Sequence, residues 1–290
     1  MQPRSILWNQ GTPPRRKLLG MSRGRGRSAP FVTQTRDRIP TLFDCWEKVS
    51  ERIRAAIQIW IFLDFDGTLV PYYDRPEDVK LSSECRRILA RLSRHRRVRV
   101  AIVSGRRNAA LRKYVRVPRL QLLGLFGWEK TGRAALPRKT KGALVGLRAV
   151  LAPLAASFPG IHLEDKGVSY AVHFREASPD AQQRVRAWMR ALLTRFRPDF
   201  RLIQSDYACD IVPRQVQGKG AAMRDFIRRA RAPFLPIYIG DDLTDEPAFM
   251  ALRQGITVRV GPVSRTKARF RLKNPQEVCA FLERLEEELS

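Results

Sequence analysis

Residues 59 to 70 read I-W-I-F-L-D-F-D-G-T-L-V, five apolar residues running into two aspartates set two apart, then a glycine and a threonine. The apolar run, rich in β-branched and aromatic residues, predicts a buried strand. Two carboxylates aimed at one point repel each other unless a cation lies close by. Asp64, once ionised, has the chemistry to attack phosphorus and become an aspartyl-phosphate. Asp66 is placed to protonate a leaving alkoxide and then to activate water. The plainer reading is that an aspartate after a strand closes a turn or caps a helix.

Three further polar signals fall at comparable places. The run V-R-V-A-I-V (98 to 103) ends at Ser104-Gly105-Arg106, Lys219 opens a helix between two glycines, and F-L-P-I-Y-I-G (234 to 240) ends in Asp241-Asp242. Ligands of open parallel sheets bind beyond the carboxyl ends of the strands. An all-oxygen donor set there favours Mg²⁺, which keeps several waters and bridges to phosphate. A hydroxyl and a lysine hold non-bridging phosphate oxygens and stabilise the charge of phosphoryl transfer. Singly, these are a turn, a solvated charge and a cap; together they mark one edge of one sheet.

The elements that must position them alternate. A short amphipathic helix is expected at 41 to 56, where Leu42, Cys45, Trp46, Val49 and Ile53 share a face. A strand at 59 to 64, a helix near 82 to 95, a strand at 98 to 103, another helix and a strand at 120 to 126 follow. Strands alternating with helices imply a parallel sheet with right-handed crossovers. The rhythm then breaks. A helix at 141 to 157 precedes strand-like runs at 161 to 166 and 168 to 174, joined at Gly167 as a hairpin. Next come a helix over 179 to 196, with Ser178 as its N-cap, and strands near 200 to 205 and 207 to 212. Alternation resumes with a helix after Gly218-Lys219-Gly220, strands at 234 to 240 and 256 to 260, and a closing helix through Val278, Phe281, Leu282 and Leu285. The expected fold class is α/β, a doubly wound parallel-sheet core formed by 41–133 and 214–290. An α+β domain at 134–213 is inserted in it, and 1–40 is a disordered, basic, Gly- and Pro-rich tail.

The chain has 290 residues, a formal charge of +27 and a pI near 11.2. Such a charge suits nucleic acid, an anionic membrane surface or a phosphorylated substrate. The arginines are spread along the whole chain, and no zinc-finger spacing or aromatic-interleaved basic motif accompanies them, so no nucleic-acid partner is expected. No apolar run reaches the ~18 residues of a membrane span. Cys45, Cys85, Cys209 and Cys279 form no C-x-x-C pair, which argues against zinc and a redox motif and for a reduced, cytoplasmic protein. Pro14-Arg15-Arg16-Lys17-Leu18-Leu19 has the look of a twin-arginine signal but lacks an apolar stretch after it. Oligomeric state is left open.

D-F-D-G-T-L resembles the D-x-D-x-T signature of the haloacid dehalogenase superfamily of phosphotransferases. Ser104, Lys219 and G-D-D-L-T-D (240 to 245) resemble its second, third and fourth motifs, in order. The resemblance implies Asp64 as nucleophile and Asp66 as general acid/base. It implies Mg²⁺ held by Asp64, Asp241 and the backbone carbonyl of Asp66, with Asp245 and Asp242 supporting, and phosphate held by Thr68, Ser104, Gly105 and Lys219. The inserted domain is placed like a type-2 cap that closes over the site and selects the substrate. Within that group, D-G-T-L-V-P continuing into D-R-P-E (74 to 77), V-S-G-R (103 to 106) and E-D-K-G-V-S-Y-A-V-H-F-R (164 to 175) look most like the trehalose-6-phosphate phosphatase family. Arg106, Glu164, Lys166, His173 and Arg175 are then the residues expected near the sugar. Sucrose phosphate and mannosyl phosphoglycerate remain alternative substrates. Two departures stand out: G-L-F-G (124 to 127) puts Phe126 where the family usually has His, and Asp210 stands where it often has Glu.

Overall fold

The central strand of the molecule is β1, Ile59–Leu63, whose residues alternate between two apolar layers. Ile59, Ile61 and Leu63 enter one cluster, while Phe62, with Trp60 against it, enters another. A strand covered on both faces reads as an unbroken apolar run, as this one does. The computed structural model describes residues 39–73, 78–130, 136–196, 198–262 and 265–290. Nearly all of the expected basic tail and the D-R-P-E stretch at 74 to 77 lie outside the described residues.

Five parallel pairings build a six-stranded sheet. Its strands are β1, β2 (Val98–Val103), β3 (Gln121–Leu123), β8 (Leu235–Gly240), β9 (Ile256–Val260) and β10 (Phe270–Leu272), in the order β10-β9-β8-β1-β2-β3. Leu63 lies opposite Ile102 on one side and Ile239 on the other. This register brings Asp64, Ser104 and Asp241 to one edge. Helices α1 (Trp46–Ala55), α2 (Ser83–Leu92), α3 (Asn108–Val115) and α8 (Pro275–Glu287) contribute to the first layer. Helices α6 (Lys219–Arg229) and α7 (Glu246–Ala251) contribute to the second.

A separate four-stranded antiparallel sheet, ordered β4-β5-β7-β6, lies within the segment between β3 and α6. It consists of β4 (His162–Asp165), β5 (Tyr170–His173), β6 (Phe200–Gln204) and β7 (Ala208–Pro213). With α4 (Arg138–Ser157) and α5 (Pro179–Phe196) it encloses its own core, around Leu147, Val172, Phe174, Val185, Met189 and Phe200. Gly167 turns the β4–β5 hairpin at φ +74°, a conformation that costs glycine least. The Ser178 hydroxyl accepts from Ala181 N at the start of α5.

One expectation changes, and two short elements go unforeseen. The run at 120 to 126 is a strand only over Gln121–Leu123, and a 3-10 turn occupies Leu125–Gly127. Gly124 leaves the sheet to pair with Glu129 and accepts no further strand residues. The strand β10 and helix α7, of three and six residues, are too short to show a period in the sequence. Among the described residues no helix is long and apolar enough to cross a membrane.

Candidate active site

Asp64 follows β1 directly, and its backbone N–H donates to Ile239 O at 2.9 Å, so its carboxylate leaves from a fixed point. The chain then turns tightly: Gly67 N donates to Val70 O at 2.8 Å and Val70 N to Phe65 O at 3.1 Å. Gly67 sits at φ +79°, and a Cβ there would collide with the Asp241 carboxylate. Lys219, from the first turn of α6, places Nζ 2.8 Å from Asp64 Oδ2 and 2.8 Å from Asp245 Oδ1. Only 2% of Lys219 is exposed. Burial alone would favour its neutral form, but Asp245 and Asp64 more than reverse that and hold it charged.

Asp245 is fully engaged in holding other groups. Oδ1 accepts from Lys219 and from the Tyr238 hydroxyl at 2.7 Å, while Oδ2 accepts from Asp241 N and Asp242 N at 3.1 and 3.0 Å. Asp242 caps the turn that follows, its Oδ1 accepting from Leu243 N and Asp206 N at 2.7 Å each. Asp241 is ordered by two hydroxyls: Thr68 Oγ1 donates to Oδ1 at 2.8 Å and Tyr72 to Oδ2 at 2.6 Å. Thr68, expected at the phosphate, is thus a partner of Asp241. Asp66 is gripped on both oxygens by Arg106, Nε at 2.6 Å and Nη2 at 2.7 Å.

Oxygens of Asp64, Asp241 and Asp245 lie within 4.8 Å of one another. Burial pushes the Asp64 carboxyl well up, Lys219 pulls it down, and Asp245 and Asp241 push it up again. Burial, then Asp245, raises Asp241 to about 6; burial, then Asp206 and Asp245, raises Asp242 to about 8. One lysine does not balance this negative charge. Hard oxygen donors with uncompensated charge suit a divalent cation of the Mg²⁺ type. With the Asp245 oxygens already accepting four hydrogen bonds, Asp64 and Asp241 are the side chains that fit as direct ligands.

The floor of the cleft is the turn after β3. Leu125 and Phe126 both have positive φ, 45° and 58°, a strained state for residues with side chains. Leu125 N donates to Arg106 O and Phe126 N to Ser104 O, both at 2.8 Å, so the strain is held by the Ser104-Gly105-Arg106 segment. The Phe126 ring packs on Gly105, Val212 and Val216 and faces Lys166 Nζ at 6.0 Å. Buried Glu129 braces the same segment by accepting from Arg107 Nε at 2.5 Å and Asn108 N at 2.7 Å.

The antiparallel sheet supplies the opposite wall. Lys166 Nζ donates to Asp210 Oδ1 at 2.7 Å and to Gly105 O at 3.2 Å, and Arg107 reaches Lys166 O at 2.6 Å. Asp210, noted as a departure, is therefore the counter-ion of Lys166. Glu164 Oε2 pairs with His173 Nε2 at 2.9 Å. Burial opposes its charge, but His173 and Lys166 outweigh that and hold it at about 2. The Arg175 guanidinium is stacked between Tyr72 at 3.9 Å and Tyr207 at 4.1 Å, one ring from each side of the cleft. A cavity of about 340 Å³ joins Asp64, Asp66, Ser104, Gly105, Arg106, Lys219 and Asp242 to Glu164, Lys166, His173 and Arg175. Thr68, Asp241 and Asp245 stand behind that first layer.

Tyr72, Tyr238, Tyr207, Glu129 and Asp206 also shape the site, and sequence reasoning missed all five. Tyr72 and Tyr207 act through stacking across the cleft, and Tyr238 reads as one more core residue of β8. Only Asp206, before an aromatic in a polar strand connection, offers a weak local signal.

The trehalose-phosphatase family model matches residues 62–276. A probable trehalose-phosphate phosphatase D of Arabidopsis thaliana is 30% identical over 271 residues, covering 86% of this chain and 72% of the relative. The trehalose-6-phosphate phosphatase of Escherichia coli is 29% identical over 245 residues, covering 82% of this chain and 90% of that one. The C-terminal domain of the Candida albicans trehalose-6-phosphate phosphatase superposes with a TM-score of 0.75 at 21% identity, covering 87% of this chain and 99% of that one, a likeness of fold. Strand-end carboxylates, buried lysine and facing antiparallel sheet thus occur in a chain that belongs to the trehalose-phosphatase family.

Proposed function

We propose that this protein hydrolyses trehalose 6-phosphate to trehalose and inorganic phosphate. The observation that carries the reading is Asp64, fixed against Lys219 and facing, across one cavity, the polar group Glu164, Lys166 and His173. An Asp64 oxygen attacks phosphorus, and the bond from phosphorus to the sugar oxygen breaks as the aspartyl-phosphate forms. Asp66 delivers a proton to the leaving oxygen. Water then attacks the same phosphorus, Asp66 takes its proton, and phosphate departs with Asp64 restored. Arg106 orients Asp66 by its two-point grip. Ser104 and Lys219 hold the non-bridging phosphate oxygens. Asp64 and Asp241, with the Asp66 carbonyl, are the groups that would hold Mg²⁺, which neutralises the carboxylates and polarises a phosphate oxygen when bound.

The antiparallel sheet acts in this reading as a cap that reads the sugar. A disaccharide offers many hydroxyls, which Glu164 accepts from and Lys166 donates to. Phe126 and Asp210 depart from the usual family residues at this wall, and they favour a second reading in which the sugar differs while the chemistry stays.

Phosphate release from trehalose 6-phosphate is the test. It is run beside sucrose 6-phosphate, glucose 6-phosphate and a mannosyl phosphoglycerate, with Mg²⁺ or EDTA, for the native chain and Asp64→Asn. Preference for trehalose 6-phosphate, lost with EDTA and with Asp64→Asn, is the expected result. Metal-dependent release from another sugar overturns the substrate and keeps the chemistry, and release that survives Asp64→Asn overturns the chemistry.

A further inference from the structure

Two thiols lie together in the first layer of helices and take no part in the site above. Cys85 is in the first turn of α2, buried. Cys279 is in α8, half-buried, packed against the same cluster. The two helices pack against each other, and the two thiols are near enough for each to shift the other's proton affinity. Their alignment is fixed independently two turns further on, where Arg91 of α2 bonds Glu286 of α8 at 2.6 Å. Each start is capped by a side chain: Ser82 Oγ accepts from Cys85 N at 3.1 Å, and Asn274 Oδ1 from Glu277 N at 3.0 Å. Both sulfurs are therefore carried on held backbone, on two helices that pack together over the same core cluster, the setting in which a bond needing short Cβ separation and adjacent sulfurs can form.

We propose that Cys85 and Cys279 are a dithiol modification site that closes to a disulfide under oxidation by a low-molecular-weight disulfide such as glutathione disulfide. The accessible Cys279 thiolate attacks one sulfur of the oxidant, and one glutathione leaves, giving a mixed disulfide on Cys279. Cys85 then loses its proton and attacks the Cys279 sulfur, and the second glutathione leaves. In all, the two thiols give up two protons and two electrons, and glutathione disulfide is reduced to two glutathiones. The order follows from access: Cys279 is half-buried and is met first by a dissolved oxidant, while Cys85 is buried and can reach only a sulfur already brought beside it.

The bridge joins positions 85 and 279, so it encloses the segments that carry Ser104, Lys219 and Asp241 and the whole antiparallel sheet, while β1 lies before it. Closing so long a loop restricts the unfolded chain and stabilises the fold. The pair is thus a staple set by the redox state of the surroundings, fastening the last helix of the core.

The full chain is incubated with glutathione disulfide, quenched with an alkylating agent, and examined by intact mass, peptide mapping and thermal melting. Two fewer alkyl groups than on the reduced control are expected, since the bridged sulfurs cannot be alkylated. A linked peptide pair carrying Cys85 and Cys279 and a Tm a few degrees above the reduced form should accompany this, all reversed by dithiothreitol. Cys279→Ser, a change at a half-exposed position, should abolish the linked pair and the shift. A lasting glutathione adduct on Cys279, a bridge to Cys45 or Cys209, or an unchanged mass overturns the pair. A bridge without a rise in Tm overturns the staple.

Discussion

Lys219 ties the Asp64 carboxylate to Asp245 at the centre of the site. It is flanked by Asp64 and Asp245 at 2.8 Å each, with almost no solvent contact. Removing one member of a buried ion pair leaves an unpaired charge and costs about 3–5 kcal/mol. Lys219→Met keeps most of the volume and loses the charge. Denaturant unfolding should fall by about that amount, and phosphate release should drop below detection. A variant as stable as the native chain would show that burial, not the ion pair, fixes this lysine. Glu164 gives a pH-dependent counterpart. Its folded value of about 2 lies below the ordinary value of roughly 4.3, so it binds protons more weakly when folded. The stability it contributes is present above that ordinary value and is lost as pH falls towards about 2. The native chain should therefore lose more Tm than Glu164→Gln between pH 5 and pH 2; equal losses would mean that the His173 and Lys166 partners do not hold its charge.

The turn after β1 and the β4–β5 hairpin meet through Arg175. The guanidinium lies between Tyr72, on the turn, and Tyr207, in the connection between β6 and β7, and the Tyr72 hydroxyl in turn holds Asp241. A cation–π contact is worth about 0.5–2 kcal/mol, and Arg175→Ala loses two. The expected result is a KM for the sugar phosphate raised by about tenfold, since 1.4 kcal/mol is a factor of ten, with a smaller fall in kcat. A loss confined to kcat would mean that Arg175 acts on the chemistry and not on holding the two walls together. Phe126 belongs to the same level of organisation. Its positive φ is kept by hydrogen bonds to the second strand's loop, so the family's usual imidazole is replaced here by a strained apolar floor under Lys166.

Taken whole, the molecule concentrates carboxylates at one point of a chain with a net charge of +27. Asp64 and Asp241 are both raised by burial and by each other's neighbours, so ionising them without a cation costs stability. A cation that binds only the folded state adds about 2.7 kcal/mol at a hundred times its Kd. Adding Mg²⁺ to EDTA-treated protein should raise Tm by several degrees, and Asp241→Asn should remove most of that rise. Melting curves that ignore the metal in the native chain would rule out the carboxylate cluster as its binding site.

Much of this protein is legible in the order of its residues. The apolar runs ending in Asp64, Ser104 and Asp241 announce a parallel sheet with chemistry at its carboxyl edge, because a strand buried on both faces admits polar residues only where it stops. The break in alternation at the middle likewise marks a second sheet, since hairpin spacing differs from crossover spacing. Pairing across the fold is not local and left no trace in spacing. The turn at Leu125–Gly127 exists because the loop after β2 supplies its hydrogen bonds. Thr68 and Tyr72 turn towards Asp241, 173 and 169 positions away. Arg175 is held by rings from two distant loops, and Cys85 and Cys279 share one neighbourhood only because α2 and α8 pack side by side. Such contacts are selected by packing and by the need to satisfy buried polar groups, which become defined once distant segments share one interior.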